Sequence, residues 1–191
     1  MKHSVVVIGG GIIGSSAAYF LRKSDRGVTV SVIEADSSYE KATTPMGAGG
    51  VRQQFSVVEN IAQSQYSLDF YKNWDSHMSG VPDLPDLSFQ EQGYLFVVSS
   101  EGTETLRRNA ALQAEMGVQV EIMDRATLCR KFPSLQRNDI ALSVYTPDDG
   151  WIDPNAALWG FRRAAEHHGA SALIHSKRSA LNGKIDAKPR R

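Results

Sequence analysis

Val5-Val6-Val7-Ile8-Gly9-Gly10-Gly11-Ile12-Ile13-Gly14 opens the chain, and Glu34 stands twenty residues beyond Gly14. Four β-branched residues in a row predict a buried parallel strand. Gly9, Gly11 and Gly14 set a G-x-G-x-x-G spacing directly after it. In such a turn the first glycine makes the tight reversal out of the strand. The second leaves room for a pyrophosphate against the backbone, and the third lets the next helix pack closely on the sheet. Phosphates then meet free N–H groups and the positive end of the helix dipole. Val28, Val30, Val32 and Ile33 predict a second strand, closed by Glu34. That spacing suits a carboxylate accepting hydrogen bonds from an adenosine ribose. Glycine-rich turns are common, but strand, helix, second strand and terminal acid in this order predict dinucleotide binding. Glutamate in place of an arginine disfavours a 2′-phosphate, hence NADP. The motif by itself leaves FAD and NAD both open.

The bulk properties exclude other classes. Of 191 residues, 41% are hydrophobic and 22% charged, an ordinary composition with length enough for one or two cores. Basic and acidic residues balance at 21 each, so nothing in the charge calls for nucleic acid or an anionic membrane. No apolar run approaches the roughly 20 residues of a membrane span. The first strand begins just after Met1, which leaves no room for a signal or transit peptide. A lone cysteine, Cys129, excludes an internal disulfide and fits a reducing cytoplasm.

Beyond the motif, Ser15–Lys23 predicts a helix with Ala17, Ala18, Phe20 and Leu21 on its apolar face. Residues 36–56 form a long polar and glycine-rich connection, a length that usually signals function. A helix is expected from about Val57 to Met78, with Tyr66, Phe70, Tyr71 and Trp74 read as core. Pro82 and Pro85 mark a domain crossing. Strands are expected at Gly93–Val98, Val118–Ile122 and Ile140–Tyr145, with a helix from Thr103 to Met116. Asp124 and Asp153 are placed to cap the helices that follow them, and Ala172–Ile174 begins one more buried strand.

The combination resembles a known family, the FAD-dependent oxidoreductases of the D-amino-acid oxidase type, which includes sarcosine and glycine oxidases and dimethylglycine dehydrogenase. The likeness is carried by Gly9–Gly14 with Glu34, by Thr43-Thr44, and by Gly49-Gly50-Val51-Arg52-Gln53-Gln54-Phe55-Ser56. Gln92–Leu95 and the run from Tyr145 to Pro154 add to it. The Gly49–Ser56 run looks most like a subgroup that includes a mitochondrial flavoprotein linked to complex I assembly. The resemblance implies an α/β chain: a Rossmann-type FAD-binding domain with an inserted, incomplete mixed α+β substrate domain. Its parts are FAD-binding at 1–81, substrate insert at 82–147, FAD-binding again at 148–176, and a basic tail at 177–191. It implies FAD as cofactor, held by Gly9, Gly11, Ile13, Gly14 and Glu34. In the loop, backbone N–H groups of Thr43, Thr44, Gly49 and Gly50 are expected to face pyrophosphate or isoalloxazine. Arg52 is the candidate cation beside flavin or a substrate carboxylate, the alternative being a solvated loop arginine. The loop offers no histidine or cysteine, so any FAD tethered here is expected to be non-covalent.

The implied function is oxidation of the CH–NH bond of an amino acid or N-methylated amine, giving an imine that water hydrolyses. The alternative is a non-catalytic flavin-binding or respiratory-complex assembly protein. Family chains are about twice this long, and after Ser176 this sequence leaves their pattern for a tail with six basic residues and one acid. That tail is read as a truncated or frameshifted product, as a half completed by a separate polypeptide, or as a basic arm for an anionic partner. Unpaired sheet edges then predict self-association or a complementing chain. The five histidines show no ligand spacing, so no metal is expected. Adjacent His167-His168 are read as complementing a helix dipole, and Pro147-Asp148-Asp149-Gly150 as a turn rather than a catalytic pair.

Overall fold

The runs Val5–Ile8 and Val30–Ile33 fold as strands, and Asp124 and Asp153 each start a helix. The computed structural model describes residues 3–135 and 138–174. Its elements run β1 (Ser4–Ile8), α1 (Ile12–Ser24), β2 (Thr29–Glu34), β3 (Gly50–Val51), α2 (Val58–Lys72), α3 (Trp74–His77), β4 (Gln90–Glu91) and β5 (Tyr94–Val98). Then follow α4 (Thr103–Glu115), β6 (Glu121–Asp124), α5 (Arg125–Lys131), β7 (Leu142–Thr146), β8 (Gly150–Trp151), α6 (Pro154–His167) and β9 (Ser171–Ile174). The chain is mixed α/β and divides into two units. One takes residues 3–48, 75–87 and 153–174; the other takes 49–74 and 88–152. The limits expected from the sequence are 81, 147 and 176, whereas the units divide after 48, 74, 87 and 152. The assignment of 49–74 to the second unit had no sequence signal. The basic tail at 177–191 lies outside the described residues.

In the first unit β1, β2 and β9 form a parallel sheet in the order β1-β2-β9. Val5 lies opposite Val30, Val7 opposite Val32, and Glu34 opposite Ile174. Helix α1 connects β1 to β2, and α6 delivers the chain to β9, the helix-linked parallel order of a dinucleotide-binding half. The two helices pack through rings, with Tyr19 at 5.9 Å and Phe20 at 6.3 Å from Phe161. Helix α6 starts where Asp153 accepts from the N–H groups of Asn155 (2.8 Å) and Ala156 (3.3 Å), with Pro154 as its first residue.

Several expectations fail here. β1 is not buried: Val6 is 50% and Ile8 78% exposed, and Val5 and Val7 are half-buried. Successive side chains of a strand face opposite sides of the sheet, so a parallel strand is buried throughout only when both faces are covered, and Val6 and Ile8 share the face that is left exposed. Among the described residues β1 pairs with β2 alone. β9 likewise leaves Ser171 and Ala172 exposed at the other edge. Helix α1 begins three residues early and buries Ser15, Ala18 and Tyr19, while Ala17 faces outward. At the end of α6, burial above all, then the charges of His167, Lys23, Arg26 and Arg22, lower the His168 pKa. That disfavours the cation expected to complement the dipole.

The second unit holds two antiparallel sheets, β5-β7-β6 and β3-β8-β4. Met123, Leu128 and Ile140 form its core, with Leu95, Phe132 and Tyr145 packed against them. Asp124 accepts from Thr127 N–H at 2.8 Å and so starts α5, as its position predicts. The single helix expected over 57–78 breaks at Asn73, which leaves the helical region at φ −106°, ψ 27°. Phe70 and Trp74 are buried as expected, but Tyr66 is exposed, resting on the Phe70 ring at 6.3 Å at the rim of the core. The strand expected at 118–122 forms later, as β6.

Candidate functional site

The first βα turn is built as an open cradle. Gly9 N–H donates to Ile33 O at 2.8 Å, which ties the turn to the end of β2, and Gly9 adopts φ +95°. Gly11 is the N-cap of α1 and has no side chain to satisfy the first N–H groups; the first turn also carries no acid. Those donors and the positive end of the helix dipole are thus left for an anion. A Cβ on Gly11 would meet nothing within 4 Å, whereas one on Gly14 would collide with the Gly9 carbonyl oxygen. Gly14 is therefore a packing requirement, and Gly11 holds space open. Ile13 stands exposed at the mouth of the turn. The cradle fits the diphosphate of a dinucleotide.

Glu34 closes β2 beside this turn. Its Oε2 accepts from Gly10 N–H at 2.7 Å and its Oε1 from Asp36 N–H at 2.9 Å. A carboxylate oxygen has two acceptor sites, so each retains one for a ribose hydroxyl. A crevice of about 320 Å³, open mouth included, lies alongside and is lined by Ser15, Glu34, Tyr39, Arg162, Glu166 and Ser171 among others.

The remaining expected residues are placed differently. Thr43 and Thr44 sit in the turn 43–46, where Thr44 O accepts from Gly47 N–H at 3.0 Å. Gly49 and Gly50 belong to the second unit and to the pairing of β3 with β8. Gly49 O accepts from Ile152 N–H at 2.9 Å, and Gly50 lies opposite Trp151. Gly49 has φ +74°, and a Cβ there would stand 2.6 Å from the Trp151 indole nitrogen. Close packing on β8 by itself accounts for that glycine.

Arg52 is half-buried, its guanidinium over the rings of Phe55 (5.0 Å), Phe96 (5.2 Å) and Tyr94 (5.4 Å). Among the described residues no carboxylate pairs with it. Its loop is fastened by a residue that the sequence reads only as part of a turn. Asp149 is 0% exposed and accepts from Gln53 N–H at 3.1 Å, from Gln53 Nε2 at 3.0 Å, and from the Thr146 hydroxyl. The run Pro147–Gly150 does form a turn, but one of its carboxylates points inward, which no local pattern signals. Among the described residues no group of His, Cys, Asp and Glu is arranged to hold a metal ion.

A family model described as FAD dependent oxidoreductase matches residues 4–188. The FAD-dependent oxidoreductase domain-containing protein 1 of Xenopus laevis is 42% identical over 169 residues, covering 86% of this chain and 34% of that protein. The formaldehyde-forming 4-methylaminobutanoate oxidase of Paenarthrobacter nicotinovorans is 30% identical, over 86% of this chain and 19% of that protein. Among solved structures, L-proline dehydrogenase from P. horikoshii superposes with a TM-score of 0.76 at 30% identity, over 91% of this chain and 44% of that one. The chain spans about a third of the length of the first curated relatives it matches. With its glycine cradle, the Glu34 carboxylate beside it and this match over most of its length, the chain belongs to the FAD dependent oxidoreductase (DAO) family.

Proposed function

We propose that this chain binds FAD non-covalently and serves the oxidation of a CH–NH bond in an amino acid or an N-methylated amine. The observation that carries the reading is Gly11. The fold has no need of glycine there, since a Cβ would meet nothing within 4 Å, yet that space is what a diphosphate would occupy. Gly11, Ile13 and Gly14 would supply backbone donors to the diphosphate, Gly9, whose own N–H is held by Ile33 O, would shape the turn beneath it, and Glu34 would accept the ribose hydroxyls. The chemistry FAD supplies when bound is acceptance of a hydride from the substrate carbon. Arg52, a planar cation with no carboxylate partner among the described residues, would take the substrate carboxylate through its fork. The resemblance also assigns Thr43, Thr44, Gly49 and Gly50 to the cofactor, and that assignment stands as a proposal. Support for the substrate class comes from relatives named for proline and for 4-methylaminobutanoate.

The test is spectroscopic. The chain loaded with FAD should show a visible flavin band that bleaches on anaerobic addition of sarcosine or a D-amino acid. A bound flavin that no amine or amino acid bleaches would shift the reading to a non-catalytic flavin-binding or respiratory-complex assembly protein. The 42% identical Xenopus protein favours keeping that second reading, since its name states a domain and no reaction. We also propose a cytoplasmic compartment, on the lone thiol of Cys129. Among the described residues no helix is long and apolar enough to cross a membrane. Among the described residues β1 is paired on one side alone, and that edge supports self-association or a complementing chain.

A further inference from the structure

Tyr39 follows β2 in a polar connection, yet it is only 4% exposed and holds φ +57°. A bulky residue in this left-handed region is strained, so the surroundings must hold it there. Its ring stands edge-on to Trp159 of α6 at 5.5 Å. Its N–H donates to Asp36 O at 3.3 Å, and its hydroxyl oxygen accepts from Arg162 Nη1 at 3.4 Å. The Arg162 guanidinium lies over both rings, 5.6 Å from Tyr39 and 5.0 Å from Trp159, and pairs with Glu166 at 3.1 Å.

The hydroxyl ends over Gly10. A Cβ on Gly10 would stand 2.9 Å from it, 3.2 Å from Glu34 Cβ and 3.4 Å from Glu34 Oε2. The middle position of the glycine motif is open to any residue by pattern, but here Tyr39 and Glu34 fill its space. Both hydrogen bonds that orient the Glu34 carboxylate come from residues Tyr39 touches: Gly10 by contact, Asp36 by a backbone bond. Burial pushes the Tyr39 pKa up, with Arg162 opposing and Glu34 adding, so the phenol stays neutral beside that carboxylate.

We propose that Tyr39 is a positioning residue for the adenosine end of FAD: wedged over Gly10 by Trp159 and Arg162, it fixes Glu34 in the orientation that accepts the ribose hydroxyls. The proposal rests on the FAD reading. The test uses the whole chain and two probes, ADP and 2′,3′-dideoxyadenosine diphosphate, which keeps adenine and phosphates but lacks the ribose hydroxyls. Calorimetry on the unaltered chain should show ADP bound about tenfold more tightly than the dideoxy nucleotide. Tyr39→Phe keeps the ring against Trp159, so its melting temperature should hardly move. Its affinity for ADP should fall about fivefold while dideoxy binding stays unchanged. Arg162→Gln should act in the same direction. An equal loss for both nucleotides would mean Tyr39 only supports the fold, and an unchanged ADP preference in both variants would mean it does nothing to Glu34. Either result overturns the proposal. An unaltered chain that binds neither nucleotide would instead sink the FAD reading, and this inference with it.

Discussion

Gly11 and Gly14 stand three positions apart in one motif and are glycines for opposite reasons. Gly14 faces the Gly9 carbonyl, so a methyl group there must displace backbone. Gly14→Ala should cost about 3 kcal/mol of stability, read as a lowered thermal midpoint. Gly11 has ordinary extended angles, φ −63° and ψ −174°, and open space around it. Gly11→Glu should leave the midpoint nearly unchanged and weaken FAD at least about tenfold, measured by quenching of flavin fluorescence. A variant that binds FAD as well as the unaltered chain would show that the space is not the diphosphate's. Arg52 is a different case, because its packing and its charge are separable. Arg52→Met retains an apolar stem among Phe55, Tyr94 and Phe96 but removes the fork. FAD binding should survive, while reduction by a carboxylate-bearing substrate should need about tenfold more substrate.

At the scale of elements, the turn between β7 and β8 holds the Arg52 loop in place through one buried carboxylate. Asp149→Ala would leave the Gln53 N–H, the Gln53 amide and the Thr146 hydroxyl without their acceptor. The cost should be about 3 kcal/mol, seen in chemical denaturation as a lower midpoint with an unchanged slope. Helix α6 carries a pH dependence at its C-terminal end. The folded pKa of His168 lies below the ordinary 6.5, so the unfolded chain takes up the proton first. No penalty exists well above that value. It grows as pH falls through about 6.5 and is complete below the folded pKa. Melts across this range should show a decline that His168→Gln flattens; an identical decline in the variant would assign it elsewhere.

At the scale of the molecule, the parallel sheet of the first unit has, among the described residues, an unpaired strand edge on β1, with Val6 and Ile8 exposed on that strand. Such an edge templates pairing with another chain. Light scattering should therefore show mass rising with concentration, and the pair Val6→Lys, Ile8→Lys should suppress the rise without lowering the melting temperature. A mass that stays monomeric at all concentrations would refute it. The same strand shows where reading from residues stops. The glycine spacing, the distance to Glu34, the caps at Asp124 and Asp153 and the extent of α4 were all legible, because each is decided within a few residues or one βαβ unit. Whether β1 is buried depends on what lies on its far side, and a β-branched run is the same in either case. Asp149 reads as a turn acid until Gln53, 96 positions away, comes to rest on it. Tyr39 reads as loop until α6 brings Trp159 and Arg162 to it from more than a hundred residues on. The sequence alone determined the cradle and the acid beside it, since both follow from local backbone geometry. Only the tertiary structure decided which side chains hold that acid still and which strand edge is left open. Those depend on contacts between distant segments, and no local pattern encodes them.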